Sequence, residues 1–86
     1  MIVRWSNLTD SIGAVLDRMA RGETRAVHRR GHLVARVRRG PPFAGVRMAP
    51  GEIRACKRGL LDVLSESSVV VTRYGVDEAV IEGVRE

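Results

Sequence analysis

The chain has 86 residues, 44% of them hydrophobic, a net charge of +5 and a single cysteine, Cys56. That length allows one small core, and one cysteine excludes an internal disulfide or a cysteine-built zinc site. No apolar run approaches a membrane span and Met1–Ser6 has no apolar stretch behind a basic start, so no membrane partner and a cytoplasmic location are expected.

The aromatic residues are Trp5, Phe43 and Tyr74, so the core must come from Val, Leu, Ile, Ala and Met. Fourteen of the 15 basic residues are Arg, which suits phosphate and guanine edges but also follows from a GC-rich genome. The position of charge says more. Residues 1–43 carry nine Arg against Asp10, Asp17 and Glu23, whereas residues 44–86 are nearly neutral.

Residues 2–5 read as a short strand. Ser6, Asn7 and Thr9 are candidate N-caps for a helix whose apolar stripe is Leu8, Ile12, Val15, Leu16 and Met19, with Gly22 as its stop. Residues 24–29 and 33–38 read as strands joined by a tight turn at Arg30-Gly31-His32. Gly40-Pro41-Pro42 is the strongest breaker. After it the order restarts: a short strand at 46–48, Pro50 in a first helical turn, and an apolar stripe at Ile53, Cys56, Leu60, Leu61 and Leu64 that Gly59 weakens. Residues 69–73 are a β-branched strand, Tyr74-Gly75 turns it, and residues 78–81 return.

Both halves thus run strand, helix, hairpin. Arg29-Arg30-Gly31 lies over Arg73-Tyr74-Gly75 at an offset of 44, which also pairs Leu16 with Leu60, Val27 with Val71, Ala35 with Ala79 and Val37 with Ile81. A shift of one residue pairs Val3-Arg4 with Val46-Arg47. The expected architecture is α+β: a first βαββ unit at 1–43 and a degenerate second at 44–86, packed as a pseudo-dimer with one shared antiparallel sheet and both helices on one face. Further homo-oligomerisation is expected too, because so short a chain gains little from one core.

The run Ser6-Asn7-Leu8, Ala14-Val15-Leu16, Arg21-Gly22-Glu23, Val27-His28-Arg29-Arg30-Gly31 and Val34-Ala35-Arg36-Val37 resembles the N-terminal domain of Phd/YefM antitoxins over about residues 2–38. Gly51-Glu52-Ile53-Arg54 and Thr72-Arg73-Tyr74-Gly75 resemble its helix start and hairpin turn more weakly. The resemblance implies dimerisation through a shared sheet and operator binding by basic residues at the helix start and the turn. Carried over residue by residue, the helix-start place falls on Thr9 and Arg54 and the turn place on Arg29 and Arg73, with Arg4 or Arg30 offsetting the missing cation at Thr9. The expected DNA-contacting set is therefore Arg4, Thr9, Arg29, Arg30, Arg54 and Arg73, with double-stranded DNA as partner and autorepression as function. The family's toxin-blocking C-terminal tail is replaced here by the second unit. Neutralising a toxin or another enzyme by direct protein binding is therefore the alternative function, with that toxin as partner.

Arg36, Arg38 and Arg39 form another cluster, read as a solvated strand edge or as DNA contacts. Trp5 is a core residue or a base-stacking one. His28 and His32 flank the turn without a cysteine or carboxylate beside them, so no metal and no cofactor are expected. No nucleophile–base spacing or phosphate-binding glycine loop occurs, and no enzymatic activity or catalytic residue is expected.

Overall fold

The computed structural model describes residues 2–84. A six-stranded mixed sheet is covered on one face by four short helices. In chain order the elements are β1 (Ile2–Arg4), α1 (Trp5–Asp10), α2 (Ile12–Asp17), β2 (Thr24–Arg29), β3 (His32–Arg39), β4 (Val46–Met48), α3 (Pro50–Ala55), α4 (Leu60–Glu66), β5 (Val69–Arg73) and β6 (Val76–Gly83). Across the sheet the order is β1-β2-β3-β6-β5-β4.

The sheet is not wholly antiparallel. The outer pairs β1–β2 and β4–β5 are parallel, whereas the four central strands are antiparallel. Each outer strand is followed by a helical crossover, which returns the chain to the same end of the sheet and so imposes parallel pairing.

Two hairpins sit at the centre of this order, and their registers coincide at an offset of 44. Val27 pairs with Ala35 and Val71 with Ala79; Arg29 pairs with His32 and Arg73 with Val76. A bulge falls between Val27 and His28, and another between Val71 and Thr72. The tips match as well: Arg30 and Gly31 have φ of 54° and 81°, Tyr74 and Gly75 of 53° and 76°. Two successive positive φ values match the twist of a two-residue hairpin, which is why glycine takes the second place in each. Where β3 meets β6, Val37 lies opposite Ile81.

Each expected long helix is broken in two. Ser11, at φ −143° and ψ 44°, separates α1 from α2, and the turn from Cys56 to Gly59 separates α3 from α4. The apolar stripes survive the breaks: Leu8, Ile12, Leu16, Met19, Ile53, Leu60 and Leu64 are all buried. Burial of the stripe, rather than helical continuity, is what holds short helices in a folded chain. The cap also differs from expectation. Helix α1 starts at Trp5 with Arg4 as N-cap and no side-chain cap, so Ser6, Asn7 and Thr9 lie inside it. At α3 the Ala49 amide donates to Glu52 Oε1 at 3.1 Å, behind Pro50 in the first turn.

The core lies between helices and sheet. Val3, Val27, Val37, Val69, Val71 and Ile81 supply the sheet side, and Leu8, Leu16, Ile53 and Leu60 the helix side. Strand alternation puts Arg36, Arg38, Val70, Val80 and Glu82 on the other face. There Arg38, opposite Val80 in the ladder, donates to the Gly40 and Pro42 carbonyls at 2.6 and 3.1 Å and pairs with Glu82 at 3.3 Å. It thereby pins the chain that leaves β3 for the far edge. Arg39 Nη1 caps carbonyls of Leu16 and Met19 at 2.8 and 2.6 Å. The cluster expected at 36–39 is thus dispersed: of the three, Arg36 is exposed, and the other two tie backbone together.

Candidate nucleic-acid interface

Arg29 ends β2 and Arg30 takes the first turn position, and both are exposed. Parallel pairing with β2 puts Arg4 beside His28, level with that tip. Arg4, Arg29 and Arg30 line one open groove of about 550 Å³, with Trp5 and His28 in its wall. Three of the six expected residues are therefore together.

The groove continues into a second cleft of about 280 Å³, which shares Trp5, Ser6 and Arg29 and is closed on its far side by Lys57 and Arg58. These two cations come from the turn between α3 and α4, packed beside α1. They were missed in the sequence, although two adjacent cations ahead of a glycine inside an interrupted stripe were a readable sign of an exposed helix break. Lys57 pairs with Asp10 at 3.4 Å, both ends about half exposed. Arg4, Arg29, Arg30 and Arg58 make no ion pair with any described residue.

The other three expected residues do not line the first groove. Thr9 lies in the wall of the second cleft, but it is buried at 1% exposure and its hydroxyl donates to the Ser6 carbonyl. Arg54 is exposed in the last turn of α3 but lines neither cleft. Arg73 is committed internally. It donates to Asp17 at 2.8 Å, to Glu78 at 2.6 Å and to the Gly13 carbonyl at 3.4 Å, with its side chain 19% exposed. The hydrogen bond from Arg73 holds the Asp17 carboxyl below its ordinary range, and bonds to Asp17 and Glu78 raise the guanidinium further above its own.

Trp5 is both things at once: it packs against the core cluster and forms the wall shared by the two clefts. Unpaired guanidinium groups at a projecting tip attract anions, and a half-buried indole beside them offers a flat apolar surface. Among the described residues no three His, Cys, Asp or Glu side chains gather as a metal site, and no helix is long and apolar enough to cross a membrane. Compared with known proteins, the chain matches no family model, no curated protein and no solved structure.

Proposed function

We propose that this chain is a DNA-binding transcriptional regulator of the Phd/YefM type, acting in the cytoplasm as an autorepressor. The observation that carries the reading is the joining of Arg4, Arg29 and Arg30 along one groove without an ion pair among them. Charged groups that stabilise only the fold are paired, as Arg73 is. Unpaired ones at a hairpin tip stand ready to replace the counterions of a phosphate backbone. A two-stranded tip is also narrow enough to enter a major groove.

The same proposal takes residues 1–43 and 44–86 as two βαββ units forming a pseudo-dimer inside one chain. Its support is the strand order, which reads alike from either edge, and the hairpin registers that coincide at an offset of 44. Residues 46–83 are built into the sheet and its helix layer rather than extended as a toxin-wrapping tail, which favours DNA over a toxin as partner.

The test is a mobility shift with duplex DNA from upstream of the chain's own gene, at two salt concentrations. Wild type binds and weakens steeply with salt, each neutralised phosphate adding about −0.9 to the slope of log K against log salt. Replacing Arg29 and Arg30 with Ala weakens binding strongly, whereas Arg36→Ala, on the opposite face, leaves it nearly unchanged. If the double variant binds like wild type where wild type is unsaturated, the hairpin is not the reading head and the proposal fails.

A further inference from the structure

Arg29 and Arg73 occupy the same place in their hairpins: each ends a strand, precedes a residue at positive φ and then a glycine, and pairs with the first residue of the return strand. Their surroundings are opposite in charge. Arg73 meets Asp17 and Glu78. At the register position of Glu78, third in the return strand, the first hairpin has Val34. Where Arg73 leans on α2 with its Asp17, Arg29 shares its cleft with Lys57 and Arg58. Among the described residues the only carboxylate lining that cleft is Asp10, already beside Lys57 at 3.4 Å.

We infer that this cleft, between the β2–β3 hairpin and the α3–α4 turn, seats one phosphodiester of a DNA backbone on Arg29, Lys57 and Arg58, and that the matching place beside the other hairpin is closed by its own carboxylates. The inference rests on the DNA-binding reading and adds a site, a ligand group and a polarity to it. Like charges gathered in one cleft repel, and an anion between them turns repulsion into attraction. A guanidinium fork matches phosphate oxygens two at a time, and an ammonium adds a point charge. At about 280 Å³ the cleft has room for one phosphate group. The polymer continues along the adjoining groove, which carries Arg4 and Arg30.

The consequence is one-sided binding. The chain engages DNA from its Arg29 side, with Lys57 and Arg58 reaching across from the second half of the sequence, while Arg73 serves the fold. A phosphate contact carries no sequence information, so its loss must weaken every duplex alike.

The experiment uses the full chain, the upstream duplex and an unrelated duplex of equal length, with binding measured against potassium chloride. The variants are Lys57→Gln with Arg58→Gln together, Arg58→Gln alone, and Arg73→Gln, each checked by melting temperature; both replaced cations are exposed, so the first two keep the wild-type melting point. The double variant lowers affinity for both duplexes by a similar factor and makes the salt slope shallower by about 0.9, one phosphate. Arg58→Gln alone moves both in the same direction. Arg73→Gln lowers the melting temperature and leaves the slope as in wild type. Inorganic phosphate at matched ionic strength displaces DNA no better than chloride does; displacement by it would show a site for a free anion and overturn the assignment to a backbone. If wild type binds and the double variant keeps the wild-type slope, this inference falls and the DNA reading stands. If wild type binds neither duplex, both fall.

Discussion

Removing Arg73 tests whether it belongs to the fold. Arg73→Ala deletes the bonds to Asp17, Glu78 and the Gly13 carbonyl. Asp17, with a side chain 64% exposed, returns to water, where it is well solvated. Glu78 is only 22% exposed and cannot, so its carboxylate is left without its charged partner. A hydrogen bond to a charged group contributes about 1.5–3 kcal/mol. A loss near ~2 kcal/mol follows, which lowers the melting temperature of a chain this size by roughly 8–16 °C. Thermal and urea unfolding followed by circular dichroism measure it. A cycle with Glu78→Ala gives the coupling, because removing both partners leaves no stranded charge and costs less than the two single losses together. A melting temperature within about 2 °C of wild type, or additivity within ~0.5 kcal/mol, would refute the clamp and return Arg73 to the candidate DNA surface.

Three further outcomes are expected. Gly83→Ala destabilises, because its Cβ would stand 2.6 Å from the Leu64 carbonyl oxygen, whereas Gly51→Ala, in open space within α3, gains up to about 1 kcal/mol; chemical denaturation midpoints that move the same way in both would contradict this. Leu16→Ala removes a fully buried side chain between helix and sheet and costs about 2–5 kcal/mol, read from the same curves. Acid weakens the fold in a defined window. Arg73 and Arg25 hold Asp17 and Glu23 below their ordinary values of 3.8 and 4.5. Their contribution is complete above those values and is lost as pH falls through the lower folded ones. Melting temperature against pH should therefore fall less steeply below about pH 4.5 in a chain carrying Asp17→Asn and Glu23→Gln; an unchanged acid limb would show that these pairs contribute nothing.

Local chemistry by itself determined the hairpin tips, the strands and the buried stripes. Glycine at 31 and 75 permits the second positive φ that a two-residue turn demands, and β-branched residues at 69–71 leave little alternative to a strand. The stripes through Leu8–Met19 and Ile53–Leu64 name the core because burial is periodic, whether or not the helix is continuous. The parallel outer pairs were open to deduction, since a helix joining two strands of one sheet brings the second back alongside the first. Periodicity could not show the breaks at Ser11 and at 56–59, because so short an interruption barely changes the phase of a stripe. Least legible was the fate of equivalent arginines. Nothing in the words Arg-Arg-Gly and Arg-Tyr-Gly says that Arg73 pairs with Asp17 and Glu78 while Arg29 shares a cleft with Lys57 and Arg58. Glu78 comes from the return strand of Arg73's own hairpin, but Asp17, Lys57 and Arg58 are brought from distant parts of the chain by the packing of α2 and of the α3–α4 turn, and only the tertiary structure decides that charge.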